Sequence, residues 1–320
     1  MIIKKEILEE WNLPAIVMPN FLSFLGNDFG YFVSEKYVLP YYIKNKLGCK
    51  KMHFILAPVP LTNIYNPEDE RNFLNEINKY IEANNYVDFI GCPNTSALFM
   101  AVPDNSIYCK FGSYIIDLTN TEETLFSNLH SKHRNVIKKA QKIGISISNE
   151  KRYSHECFKL VNETLVRANM KPISDTYYNL LDQSSNVDFF VALENNKVIG
   201  SAILAWTKGR SSYYLYGGSS SDIHSGAMNL LHWEAIKLMK KRGVKWYDFV
   251  GARINPSPGS KVEGIQRFKS RFGGELKEGF LWKKNYNKIK SSFYSFALYS
   301  YGKIKKIQVK DIIDQENGKL

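Results

Sequence analysis

The sequence predicts an α+β fold of two similar lobes, each with a mixed sheet flanked by helices. Three observations carry that prediction. The stretch "NYVDFIGCPN" (85–94) returns as "KWYDFVGARIN" (245–255), placing Asp88 and Asp248 at corresponding positions half the chain apart. Each copy follows an amphipathic helical pattern, and ahead of each helix lies a run of strand patterns. The order in each lobe is therefore β-β-β-α-β, which calls for helices packed on a partly parallel sheet. A chain of 320 residues with 44% hydrophobic and 14% aromatic residues has ample material for two cores.

The elements follow in order. "YFVSEKYVLPYYI" (31–43) and "KMHFILAPVP" (51–60) read as strands of the first lobe, the second broken by prolines that suit strand ends. In "PEDERNFLNEINKYIEAN" (67–84), Phe73, Leu74, Ile77 and Ile81 recur at helical spacing. Its acids crowd the first turn, where the helix dipole favours them. "TEETLFSNLHSKHRNVIKKAQKIG" (121–144) reads as one long helix opened by a Thr cap, with shorter helices over 157–169 and 176–183. The second lobe then shows a strand meander: "VDFFVALE", the turn "NN", "KVIGSAILAWT", the turn "KGR" and "SSYYLYGGS". "SGAMNLLHWEAIKLMKKRG" (225–243) is its helix, with Leu231, Ala235 and Leu238 on one stripe and Gly243 as the stop. Boundaries of 1–120, 121–285 and 286–320 follow, the last segment a basic, aromatic, amphipathic helix.

Forty-three Lys and Arg against 31 Asp and Glu give a net charge of +12. That excess favours polyanionic partners: nucleic acid, a nucleotide or an anionic membrane surface. Acids interrupt "MIIKKEILEEWNLP" where a signal peptide needs an apolar run, and no segment reaches the length of a membrane span. Cys49, Cys92, Cys109 and Cys157 have neither CxxC spacing nor nearby histidine clusters, so the sequence points to no zinc site and no disulfide framework. The expectation is a cytoplasmic, metal-independent protein, with room for peripheral contact at the inner membrane face.

Four stretches could carry chemistry. In "LYGGSSSDIHSGAM" a strand ends at Tyr216, Gly217 and Gly218 loosen the backbone, and a helix starts near Gly226, a geometry suited to phosphate. A flexible loop of small residues would look the same. Asp248 lies in the apolar strand "WYDFVG" and must be paired, solvated or raised in pKa, so it is either a structural acid shared with Asp88 or a general base. In "SKHRNVIKKAQK", Arg134, Lys138 and Lys142 share one helix face, which is either solvated or turned to phosphates. Finally, "GIQRFKSRFGGEL" (264–276) alternates Arg267, Lys269 and Arg271 with Phe268, Ser270 and Phe272. As a strand it would gather the three cations on one face, whereas a helix would fan them out. A charged edge strand, a nucleic-acid contact and a catalytic clamp all fit this stretch.

Taken in order, "HSKHRNVIKKAQKIGISI", "YYLYGGSS", "LLHWEAIKLMKKRGVKWYDFVGA" and "GIQRFKSRFGGEL" resemble the FemABX family, over about residues 115 to 285. The resemblance implies two GNAT-like lobes from an internal duplication. It also implies metal-free transfer of an amino acid from aminoacyl-tRNA to an amine of a nucleotide- or lipid-linked peptidoglycan precursor. Lys269 and Phe268 would then lie near the acyl-bearing end of the tRNA, with Arg267 and Arg271 beside them. Arg134 would contact precursor phosphates, Tyr214 and Tyr216 would line the substrate cleft, and Asp248 could accept a proton. The coiled-coil arm of some members is missing. Relatives with other donors set out the alternatives: an acyl-CoA-dependent N-acyltransferase on an amino sugar or lipid, or a non-catalytic RNA- or precursor-binding module. Against CoA, "IHSGAM" keeps only Gly226 of a Q/R-x-x-G-x-G/A loop.

Overall fold

The computed structural model describes residues 1–62, 65–224, 226–305 and 310–318; the rest of the C-terminal segment, 306–309 and 319–320, lies outside the described residues. The chain forms two compact units, Met1–Gly112 with Glu278–Leu320, and Ser113–Lys277. Against the sequence boundaries, the first unit is thus built from both ends of the chain, and the C-terminal segment belongs to it.

In chain order the first unit opens with β1 (Ile2–Lys4), α1 (Pro19–Leu25), β2 (Asp28–Val33), β3 (Tyr37–Lys46), β4 (Cys49–Phe54) and β5 (Val59–Pro60). Next come α2 (Pro67–Asn84), β6 (Phe89–Ile90) and the start of β7 (Ile107–Asp117). The Asn66 side chain caps α2 by accepting from the Glu68 N–H, and Asn85, at φ 48°, ends it in the left-handed region. The expected stripe of Phe73, Leu74, Ile77 and Ile81 is buried with Phe32, Tyr41, Phe54, Phe99 and Trp282. Full burial of each such side chain contributes about 1.5–3 kcal/mol. β4 runs parallel to β6, and Asp88 enters the ladder by donating its N–H to the Lys50 carbonyl.

The second unit takes the end of β7, from Ser113, and continues with α3 (Glu122–Asn128), α4 (Ser131–Lys142), β8 (Ser146–Ser148), α5 (Ser154–Arg167) and α6 (Asp175–Gln183). The strands β9 (Val187–Glu194), β10 (Lys197–Trp206) and β11 (Ser211–Ser219) follow, then α7 (Ala227–Lys241), β12 (Trp246–Asp248) and α8 (Lys261–Ser270). The long helix expected over 121–144 is two helices. Leu129 and His130 are extended between them, and the His130 ring caps α4 by accepting from the Lys132 N–H. The "NN" turn is as expected: Asn195 and Asn196 have φ of 49° and 62°, which matches the right-handed twist of the hairpin between β9 and β10.

The strand order here is β7-β12-β11-β10-β9-β8. β11 and β12 are parallel, as β4 and β6 are in the first unit, so the duplication read in the sequence recurs as topology. α7 packs on the face carrying Phe190, Ala192, Ala202 and Leu204. Phe158 of α5 stacks with Tyr178 of α6, which meets Phe189 on the opposite face. Covered on both sides, β9 and β10 are buried almost end to end, and their sequences read as continuous apolar runs. The chain returns to the first unit along β13 (Glu275–Asn285), then α9 (Lys288–Lys305) and α10 (Ile312–Asn317).

Candidate active site

The "WYDFVG" strand stops at Asp248 because the backbone beyond it cannot stay extended: Val250 has φ 51° and Gly251 has φ 74°. A glycine accepts that region at no cost, but a β-branched valine does not, and such strain persists only where surrounding contacts impose it. Two of those contacts are visible. The Asp248 carboxylate accepts the Val250 N–H at 2.7 Å and also a hydrogen bond from the Ser113 hydroxyl. From the other side the Lys269 ammonium donates to the Val250 carbonyl and, at 2.9 Å, to that of Gly251. The turn is therefore pinned between a buried acid and a buried base, each 8% exposed.

Lys269 reaches this position from a helix, which decides between the strand and helix readings of its stretch in favour of the helix up to Ser270. The helix is α8, and "SKVE" (260–263) starts it: the Ser260 hydroxyl accepts from the Glu263 N–H, and the Glu263 carboxylate accepts the Gly259 N–H at 2.7 Å. This arrangement is close to a capping box, whose Ser-x-x-Glu signal was present in the sequence. As helical spacing requires, the cations fan out. Lys269 and Gln266, three residues apart, are buried, Arg267 is exposed and Arg271 is half-buried. The "GG" pair does allow close backbone passage: a Cβ on Gly273 would lie 2.6 Å from the Asn128 carbonyl oxygen.

Burial pushes the Lys269 amine down to about 8, partly opposed by the negative charge of Asp248. Burial pushes the Asp248 carboxyl up, against the Ser113 and Val250 hydrogen bonds and the Lys269 charge. Among the described residues Lys269 forms no salt bridge, so its charge is held by carbonyl dipoles in a site of low polarity. Beside it, Phe268 packs against His133, His232 and Phe272 at centroid separations of 5.4, 5.7 and 5.1 Å. His232 is fully buried, with Nδ1 2.8 Å from the Tyr247 hydroxyl. Burial, then the Lys269 charge, drives its pKa down to about 3, leaving it neutral. Ser113, His133 and His232 were not among the residues the sequence singled out, since a lone serine or histidine gives no local signal of burial.

The structure distributes the other expected residues. Tyr214 and Tyr216, two apart, should share a face, but Ile203 pairs with Tyr216 and Leu204 with Tyr214, so Leu215 is an extra residue in a bulge. The bulge turns the two tyrosines to opposite faces, Tyr214 onto His232 at 4.5 Å and Tyr216 toward Tyr177. Gly217 and Gly218 lie within β11, paired with Ala202 and Ser201, not in a loop as the sequence suggested. Gly226 does begin α7, at φ 100°, where a Cβ would come 2.3 Å from the Val136 carbonyl oxygen. Arg134 donates to the carbonyls of Ser127 and Leu129, tying the end of α3 to α4. In the first unit a hollow of about 840 Å³ contains none of these residues, and its Arg71 is paired with Asp104 at 2.6 Å.

The duplicated α+β fold that carries this acid, bulged strand and buried lysine is shared with known structures. A crystal structure of FemX superposes with a TM-score of 0.66 at 14% identity, over 92% of this chain and 99% of that one. The C-terminal domain of a putative lysylphosphatidylglycerol synthetase from Agrobacterium fabrum gives 0.55 at 14%, over 81% and 84%. At these identities the likeness is one of fold. The sequence pattern of the FemAB family matches residues 104–192 and 180–280, more than half of the chain, and the protein belongs to that family. Among curated relatives, the lipid II:glycine glycyltransferase of Staphylococcus haemolyticus (strain JCSC1435) is 32% identical over 99 residues, 31% of this chain and 24% of that protein. That of Staphylococcus saprophyticus is 28% identical over 124 residues, 38% and 30%. The chain thus matches only a quarter to a third of the length of these relatives.

Proposed function

We propose that the protein is an aminoacyltransferase that moves an amino acid from aminoacyl-tRNA to an amine of a peptidoglycan precursor. Lipid II, the lipid-linked precursor named in its relatives, is the first acceptor to test. The observation that supports this most is Lys269: a buried ammonium held by two carbonyls on a strained turn, inside the stretch that matches the family. In this reading the acceptor amine attacks the ester carbonyl and a C–N bond forms. The tetrahedral centre collapses, the C–O bond to the ribose breaks, and the proton lost by the amine ends on the ribose oxygen.

Two of the three Lys269 N–H bonds go to Val250 and Gly251, and the third is free to stabilise the charge that develops at the ester oxygens. Phe268 supplies an apolar wall beside it. Asp248 sets the turn and keeps Lys269 charged, a positioning role. Arg267, exposed on the side of α8 away from Lys269, and Arg271, half-buried just after the helix, suit contacts to a phosphate backbone outside the site.

The test is transfer to lipid II and to its nucleotide-linked soluble form, with charged tRNA and acyl-CoA offered in parallel and products read by mass spectrometry. Transfer from tRNA is expected, and Lys269→Met should lower kcat by about a hundredfold or more with little change in KM. Asp248→Asn keeps both acceptor functions at Oδ1, and it should retain the fold and substantial turnover. Product from acyl-CoA alone would replace this reading with a CoA-dependent N-acyltransferase. A Lys269→Met loss confined to binding would indicate a non-catalytic module.

A further inference from the structure

Between Glu278 and Asp311 the sequence has no acid, and it carries lysines at both ends of α9. On such a basic, aromatic helix the ordinary arrangement buries the rings and leaves the lysines in water. The structure does otherwise. The inner side of α9 is formed by Ser291, Tyr294, Leu298 and Gly302, with Tyr294 packed on Phe89 of the first unit at 5.1 Å. Ile289, Phe293, Phe296 and Ile304 point away from it and are 84, 57, 68 and 77% exposed. At 100° per residue these four fall within one arc of about 80°. Lys288 and Lys303 stand on one flank of that arc, Lys303 about 20° beyond its edge, and on the other flank Lys290 is paired with Asp88 at 3.1 Å.

From this we infer that the outer face of α9 docks on an anionic lipid bilayer, lying in the interface plane with its four apolar side chains among the acyl chains and its lysines at the headgroups. A single apolar stripe rimmed by cations is the pattern that interfacial helices present. Charge decides among the possible occupants. A second copy of the chain meeting this face about a two-fold axis would bring lysine against lysine with no acid on the helix to answer them. A nucleic acid would find cations and the Phe293 and Phe296 rings, but the aliphatic Ile289 and Ile304 beside them give it nothing to stack on or hydrogen-bond. An anionic membrane meets both the aliphatic centre and the basic rim. The inference is independent of the transfer chemistry, because it concerns where the protein resides and not what it does there.

The experiment is co-sedimentation of the full chain with vesicles of equal parts phosphatidylglycerol and phosphatidylcholine, and with vesicles of phosphatidylcholine alone. The protein should sediment with the mixed vesicles and largely remain in solution with the neutral ones. Phe293→Ser with Phe296→Ser should weaken binding at least about tenfold. Lys288→Gln with Lys303→Gln should weaken it about fivefold per lysine. All four side chains are exposed, so thermal unfolding should be unchanged and a folding defect would be seen there. Equal binding to both vesicles, no binding to either, or a serine variant that sediments like the parent overturns the proposal. So does a serine variant whose measured loss is of tRNA binding or of a dimer in sedimentation velocity.

Discussion

Two histidines in the second unit are buried as neutral rings. Burial holds His232 near 3 and His133 near 4, where an unfolded chain would titrate at about 6.5. Both folded values are depressed, so between about pH 6.5 and 4 the unfolded chain binds protons that the folded chain refuses. Stability is complete above that window and falls as pH drops through it. Asp248, raised by burial, acts with the opposite sign and offsets part of the loss. The contribution of one residue can be isolated: His133→Leu should remove roughly 2 kcal/mol of the stability difference between pH 7 and pH 5. Urea unfolding at the two pH values measures it, and an unchanged difference would show that His133 charges freely in the folded protein. None of this was legible in the sequence, because a histidine's pKa depends on neighbours such as Phe268 and Phe272, which come from another element.

At the scale of elements, the turn after β12 and helix α8 act as one unit. The turn presents two carbonyls to Lys269, and α8 brings the lysine to them. The strain at Val250 lies in the turn. Replacing Val250 with glycine relieves about 1–3 kcal/mol of backbone strain and costs about 0.5–1 kcal/mol in unfolded-chain entropy. Val250→Gly should therefore raise the unfolding temperature and slow transfer, since the carbonyl positions are no longer enforced. A fall in unfolding temperature would mean that the valine side chain packs to greater benefit than its backbone costs. Helix α8 also shows how local patterns compete. The alternation of Arg267, Lys269 and Arg271 suggested a strand, but the Ser260–Glu263 cap and the burial of Gln266 and Lys269 three residues apart made a helix. Alternation over five residues is weak when a cap lies upstream and one buried face is available at helical spacing.

For the molecule as a whole, the first unit depends on a strand made after the second. Trp282 of β13 is fully buried among Phe54 and Phe99, and β13 pairs with β6 through Lys284 and Asn285. A chain ending at Lys277 should lose the cooperative unfolding of the first unit, read by calorimetry, while Trp282→Ala in the intact chain should cost about 3–5 kcal/mol. A truncated chain that retains both unfolding transitions would contradict this view of the core. The sequence by itself determined the α+β class, the repeated β-β-β-α-β order, the repeat of Asp88 and Asp248, and the family, because these rest on periodicity and motif order along the chain. The tertiary structure alone decided that both ends of the chain build one unit, that a bulge separates Tyr214 from Tyr216, that Lys269 is buried on a strained turn, and that α9 shows its apolar side to solvent. Each of these depends on which distant residue occupies the space beside a group, and the order of residues along a chain does not record that.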